Sequence, residues 1–194
     1  MNRKDKYYKK AKKQNYRSRA SFKLIEIQNK FNIINKNSYV IEFGSSPGGW
    51  TQVIKQFTDM PIISVDLNAM PPIDNVLFIQ GDILNYNIGK PIRETMAKND
   101  IESIDVFLSD AMVRTSGIAE RDSYESYTIC EQIMVLSEEF LKRGGNVLLK
   151  QFQGEMTNEF LNKWKDKFQF YKITKPHASR KESREIYIIL KGKK

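Results

Sequence analysis

Lys150 interrupts an apolar run, with Val147-Leu148-Leu149 before it and Phe152 two residues after. An ammonium held there loses part of its hydration, and desolvation lowers its pKa towards that of a usable base. The plainer reading is a lysine at a strand end whose charge snorkels into water. Asp110 stands in a similar place, closing the run Ile104-Asp105-Val106-Phe107-Leu108-Ser109. A base candidate and an acid at the ends of two successive strands could move a proton, provided the fold brings those ends together.

A second constellation lies upstream. Tyr39-Val40-Ile41, with Phe43 after Glu42, reads as a buried strand. It breaks at Gly44-Ser45-Ser46-Pro47-Gly48-Gly49, and helical spacing resumes at Trp50, Val53, Ile54 and Phe57. A strand, a glycine turn and a helix start bring backbone and unpaired N–H groups close to a ligand. The loop is not G-x-G-x-x-G, and Pro47 removes one donor, so a pyrophosphate cradle of the dinucleotide type is disfavoured. Asp66 closes the next run, Ile62-Ile63-Ser64-Val65, at the distance where such sites carry the acid that holds ribose hydroxyls. Val76-Leu77-Phe78-Ile79-Gln80 then ends at Gly81-Asp82. Two acids after two successive strands suit an adenosine group, with Asp66 on the ribose and Asp82 near the adenine. A plain βαβ unit with solvated acids would carry the same pattern.

These residues need elements to hold them. Ala20, Leu24, Ile27 and Phe31 repeat at helical spacing and predict a helix from about Ser18 to Lys30. Lys23 lies beside that stripe, where periodicity alone makes it surface decoration. Further helices are predicted over Ile88–Asn99, over Ser123–Lys142 with a stop at Arg143-Gly144-Gly145, and from about Met156 to Lys167. Residues 111–122 read as loop and Pro176–Ser183 as a basic loop. Strands are expected over 146–150, 168–174 and 185–190. Strands alternating with helices predict an α/β fold, a mostly parallel sheet of seven strands with helices on both faces. The short link between the last two strands makes the last one antiparallel.

The chain is expected to be a single domain, residues 1–194, with a basic segment at about 1–30. Cys130 is the lone cysteine, which excludes a disulfide framework. His177 is the lone histidine, so a histidine-based metal site or a Ser-His triad is not expected. No run approaches membrane-spanning length, and no secretory signal is recognisable. Charge is unevenly placed. Residues 1–30 hold eleven basic and two acidic side chains, a net +9; residues 31–171 hold thirteen and nineteen, −6; residues 172–194 hold eight and two, +6. Two basic ends could grip an anionic polymer if folding brings them together, although a solvated basic tail would look the same. Lys9, Lys10 and Lys13, interleaved with Tyr7 and Tyr8, are candidates for phosphate and base contacts. Arg17, Arg19, Arg180 and Arg184 join them as RNA-binding candidates.

Read together, E-F-G-S-S-P-G-G-W, V-D-L and Q-G-D resemble the S-adenosylmethionine site of the FtsJ-like ribose 2′-O-methyltransferases. Y-R-S-R-A-S-F-K-L, L-S-D-A-M-V-R-T-S-G, G-G-N-V-L-L-K-Q-F-Q-G and S-R-K-E-S-R-E-I-Y-I-I-L extend the resemblance over nearly the whole chain. It implies a Rossmann-like methyltransferase fold and a catalytic tetrad of Lys23, Asp110, Lys150 and Glu185. Lys150 would take the ribose hydroxyl proton, Lys23 and Glu185 would position substrate and tune that lysine, and Asp110 would hold the lysines near the methyl donor. Cofactor contacts would come from Gly44, Ser46, Pro47, Gly48, Gly49, Trp50, Asp66, Leu67, Asp82, Ile83 and Asp110. No metal is implied, because a sulfonium is already activated. The implied partner is RNA, foremost large-subunit ribosomal RNA, for a monomer in the cytoplasm or a mitochondrion. Alternatives are transfer RNA as substrate, a catalytically silent RNA-binding module, and a dinucleotide oxidoreductase. One departure stands out: the family carries S-D-M-A-P-N after the fourth strand, whereas Ala111-Met112-Val113 follows Asp110 here. The shape of that loop is therefore not carried over.

Overall fold

The apolar runs pair into one sheet in the computed structural model, which describes residues 6–112, 115–180 and 182–194. Among the described residues the strands are β1 (Val40–Phe43), β2 (Ile62–Asp66), β3 (Val76–Gln80), β4 (Ile104–Ser109), β5 (Leu141–Phe152), β6 (Phe168–Thr174) and β7 (Glu185–Lys193), in the order β3-β2-β1-β4-β5-β7-β6. β7 runs antiparallel to both neighbours, and the other pairings are parallel. The strand order reverses between β1 and β4. Their carboxyl ends therefore open the crevice in which such sheets bind ligands.

Helices α1 (Lys6–Lys13), α2 (Ser21–Phe31), α3 (Gly49–Ile54), α4 (Gly89–Lys98), α5 (Ala119–Phe140) and α6 (Glu155–Trp164) accompany the sheet. α2 and α3 bury Leu24, Ile27, Trp50 and Val53 against one face, on Val106, Leu148 and Tyr187. α4, α5 and α6 bury Ile92, Ile133, Phe160 and Trp164 against the other, on Phe43, Phe107 and Leu149. Both faces being covered explains why the central strands read as continuous apolar runs rather than alternating ones. A small third cluster of Ala11, Phe22 and Ala178 ties α1 to α2 and to the loop before β7. Among the described residues no helix is long and apolar enough to cross a membrane.

Among the boundaries that differ from expectation, three belong to α2 and α5. α2 begins at Ser21, because Ser18–Ala20 form turns whose carbonyls bond ahead to residues 21–23. α5 begins four residues early, at Ala119: Asp122 accepts the Ser116 N–H and hydroxyl, both at 2.7 Å, and so anchors a first turn with no apolar stripe to announce it. α5 also stops at Phe140, short of the glycines. Leu141 turns extended and pairs with Ile104, and a register shift there absorbs residues 142–145, where Gly144 sits at φ 78°.

Candidate active site

The cofactor-type loop is built by close approach. Gly44 leaves β1 at φ 75°, and a Cβ there would lie 2.4 Å from the Cα of Ala111, so only glycine lets the loops after β1 and β4 meet. Asp66 ends β2 with its side chain turned to the same place. Its Oδ2 accepts the Ser46 N–H at 2.9 Å and its Oδ1 the Asn68 N–H at 2.7 Å. Asp82 is exposed after β3 and caps the Leu84 N–H, while Ile83 beside it is buried and Leu67 is exposed. The start of α2 docks on this loop: the Ser21 hydroxyl donates to the Gly49 carbonyl at 2.8 Å, and the Trp50 indole donates to Ala20 O at 2.9 Å. Arg17 donates to the carbonyls of Pro47, Pro71 and Pro72, which clamps the loops after β1 and β2 to each other.

Beneath the loop lies Glu42, 1% exposed in the middle of β1. Burial pushes its pKa up to about 8, against the hydrogen bonds from Thr51 and Ser64. Both hydroxyls donate to Oε2, and Oε1 is buried without a hydrogen-bond partner among the described residues.

Beyond the loop the four ionisable residues singled out from sequence come together as two pairs. Lys150 is 6% exposed; its Nζ lies 2.6 Å from the Asp110 carbonyl oxygen and 3.2 Å from Asp110 Oδ1. Lys23 is 8% exposed, not surface decoration, and its Nζ lies 2.8 Å from Glu185 Oε2. The β5–β7 register sets this arrangement by placing Tyr187 opposite Lys150 and Glu185 opposite Phe152.

Tyr187 links the two pairs, and its part was not foreseen. Its hydroxyl donates to Asp110 Oδ1 at 2.8 Å, its ring lies 5.6 Å from the Lys23 ammonium, and it packs against Trp50 at 5.9 Å. The available signal was a lone hydroxyl in Ile186-Tyr187-Ile188-Ile189, two residues past Glu185 and hence on the same face of the strand. Burial alone would raise the Asp110 carboxyl; the charges of Lys150 and then Lys23, with the Tyr187 hydrogen bond, outweigh it and hold the group below its usual range. Burial and the charges of Asp110 and Glu185 keep the Tyr187 phenol protonated, well above its ordinary value.

A family profile described as FtsJ-like methyltransferase matches residues 16–193. The chain belongs to the FtsJ-like methyltransferase family. It is 60% identical, over 97% of both chains, to Ribosomal RNA large subunit methyltransferase E of Picrophilus torridus. It is 44% identical to the protein of that name in Thermoplasma acidophilum, over 97% of this chain and 91% of the relative. A Plasmodium falciparum crystal structure assigned to a ribosomal RNA methyltransferase superposes with a TM-score of 0.81 at 35% identity, covering 92% of this chain and 98% of that one. A Streptococcus mutans structure assigned to a methyltransferase shares the fold at a TM-score of 0.55 and 15% identity. The sheet is thus the Rossmann-like methyltransferase sheet, and the cofactor of this FtsJ-like enzyme is S-adenosylmethionine. The loop fits that group: a glycine turn that admits no side chain, a buried carboxylate after β2, and an exposed one after β3.

The RNA-binding candidates fall into two groups. Lys9, Lys10 and Lys13 are exposed along α1, as are Arg180 and Arg184 around the loop before β7. Arg17 and Arg19 are part-buried: Arg17 clamps the two cofactor loops, and Arg19 donates to Ala178 O at 2.5 Å. Val113 of the departing motif after Asp110 lies outside the described residues, with Arg114, Lys181 and residues 1–5.

Proposed function

We propose that this FtsJ-like methyltransferase methylates a ribose 2′-hydroxyl of ribosomal RNA, as one domain carrying a basic N-terminal segment. The observation that carries the reading is the environment of Lys150. As a neutral amine it has two N–H groups and one lone pair. The Asp110 carbonyl and carboxylate take the two N–H groups, at 2.6 and 3.2 Å. The lone pair is then free for a proton brought to the open end of the crevice. A ribose hydroxyl is a weak acid, so its methylation needs a base in position and in-line geometry to the methyl group.

Each partner in the cluster has a part in this. Tyr187 fixes the Asp110 carboxylate that aims the amine. Lys23 holds the Glu185 carboxylate at 2.8 Å and lies 5.6 Å from the Tyr187 ring, within reach of the substrate side of the cluster. When bound, S-adenosylmethionine supplies a methyl group on a sulfonium, an electrophile already primed to leave. Gly44, Ser46, Pro47, Gly48, Gly49, Trp50, Leu67, Ile83 and Asp110 would hold it, with Asp66 on its ribose and Asp82 near its adenine.

Ribosomal RNA is favoured over transfer RNA by the names of the relatives at 60% and 44% identity, and the basic ends suit a polyanion. These archaeal relatives favour the cytoplasm and lend nothing to a mitochondrial placement. The test is to methylate ribosomal RNA with the purified protein and a labelled methyl donor, then digest the product to nucleosides. The reading predicts label on a 2′-O-methyl nucleoside. Label on a base would overturn it.

A further inference from the structure

A cleft of about 380 Å³ opens where α5, α6 and the start of β7 converge. The first turns of α5 contribute Glu120, Ser123 and Tyr124, the start of α6 Gly154 and Met156, and the residue before β7 Arg184. None of these residues belongs to the cofactor loop or to the tetrad. Its volume lies in the range of about 300–1,000 Å³ usual for small-ligand sites.

Its place is what matters. Arg184 adjoins Glu185, and Phe152, which pairs with Glu185 in the sheet, is two residues from Lys150. Glu185 turns to Lys23 on the α2 side, and Arg184 turns to the α5 and α6 side, over the Phe152 ring at 5.9 Å and 3.8 Å from Asp122 Oδ2. The Gln153 N–H donates to the Arg184 carbonyl at 2.9 Å and ties the strand ends together there. The floor admits no side chain at residue 154, because a Cβ on Gly154 would lie 2.2 Å from Ser123 Oγ. The cleft flanked by Gly144, Asn146 and Gly192 lies at the opposite end of these strands.

Beside two carboxylates, Glu120 and Glu155, the lining carries side chains that suit a base. Tyr124 is 59% exposed and offers a ring face, Met156 offers a polarisable thioether, and Arg184 offers a planar cation. Bases are taken up by stacking on aromatic side chains and guanidinium planes. In a ribonucleotide the 2′-hydroxyl and the base sit on adjacent ribose carbons. A ribose whose hydroxyl reaches Lys150 must therefore put its base next to the tetrad, on one side or the other. On the α2 side, Lys23, Tyr187 and Trp50 pack against one another, and no cleft of comparable chemistry is found there among the described residues.

We infer that the cleft between the N-terminal ends of α5 and α6 receives the base of the nucleotide being methylated, stacked on Tyr124 and edged by Met156 and Arg184. The inference rests on the ribose reading above. Once the methylated position is mapped, an RNA fragment lacking only the base at that nucleotide is compared with the intact fragment, in the wild type and in Tyr124→Ala and Met156→Ala.

Base–aromatic stacking is worth about 1–3 kcal/mol, so Tyr124→Ala should raise KM for intact RNA roughly tenfold. Met156→Ala should do so by a smaller factor. Cofactor affinity and turnover at saturating RNA should hold. Abasic RNA should show the same roughly tenfold loss in the wild type and no further loss in Tyr124→Ala. Two results would overturn the cleft and leave the ribose reading standing: abasic RNA turned over like intact RNA by the wild type, or an abasic loss equally large in Tyr124→Ala, with label still on the ribose. Label on a base would overturn the ribose reading and the cleft with it.

Discussion

Lys150–Asp110 and Lys23–Glu185 are both buried lysine–carboxylate pairs at the same end of the sheet, yet they are built differently. The first joins the ends of two neighbouring parallel strands, β4 and β5, beside the switch point, and its lysine also meets a backbone carbonyl at 2.6 Å. The second joins a helix on one face to the antiparallel strand, across 162 residues of chain, by a side-chain contact alone. The register of β4 on β5 brings the first pair together; docking of α2 brings the second. The pair held by the sheet suits bond making, which tolerates little misplacement. The pair held by a docked helix suits field and position, and Tyr187 passes its influence from one to the other.

The comparison breaks most sharply at Lys150. Lys150→Ala removes the proposed proton acceptor, and general-base catalysis contributes about 10²–10⁴-fold. Single-turnover methyl transfer should fall by that order while cofactor and RNA affinities barely change. Lys23→Ala should act less, by roughly 10–100-fold, since it removes a charged hydrogen bond worth about 1.5–3 kcal/mol. It should also move the pH profile. Lys23 helps hold the Asp110 carboxyl down, so without it Asp110 takes up its proton at higher pH, and the acid limb of the rate profile should shift upward. An unmoved acid limb would mean that the second pair does not act on the first.

Tyr187→Phe sharpens the comparison by cutting the link while keeping the ring that packs on Trp50. One neutral-donor hydrogen bond is worth about 0.5–1.5 kcal/mol, so a loss below roughly tenfold is expected, with the same upward shift of the acid limb. Wild-type kinetics and an unchanged profile would reduce Tyr187 to core packing.

Glu42 is a further buried carboxylate, held by the Thr51 and Ser64 hydroxyls rather than paired with a lysine among the described residues, and its effect should be smallest on activity and visible in stability. The folded protein holds its proton up to about pH 8, against 4.5 for a free glutamate. Below about 4.5 both states are protonated, and the stabilisation is complete. Between those values only the unfolded state has lost the proton, so stability falls as pH rises. Glu42→Gln should flatten that slope in urea titrations from pH 5 to 8 and leave methyl transfer near the wild-type rate. A slope unchanged by the substitution would show that Glu42 is ionised in the folded protein.

How much of this was legible follows from the same contrast. The strands were readable because both faces are covered, which leaves unbroken aliphatic runs. Lys150, Asp110, Asp66 and Gly44 were readable because strand ends and glycine turns collect chemistry in α/β sheets. Lys23 and Glu185 carry no such local mark. A lysine beside an amphipathic stripe and a glutamate opening a strand look solvated until tertiary docking pairs them, and only the family resemblance singled them out. Tyr187 was hidden by the aliphatic run around it, reading as one more core residue. The early start of α5 was missed because Asp122 builds it with polar bonds that leave no periodicity. Arg17, singled out for RNA, also holds three backbone carbonyls around the cofactor loops, a role that depends on loop positions no spacing encodes.

The central claim is that Lys150 accepts the proton, and Lys150→Arg tests it most directly. Arginine keeps the positive charge and can donate to Asp110, but a guanidinium stays protonated and cannot serve as a base. In single-turnover methyl transfer with saturating RNA and donor, the account predicts a loss close to that of Lys150→Ala, about 10²-fold or more. A rate near that of the wild type would contradict it, showing that position 150 needs only a cation and that the proton leaves by another route.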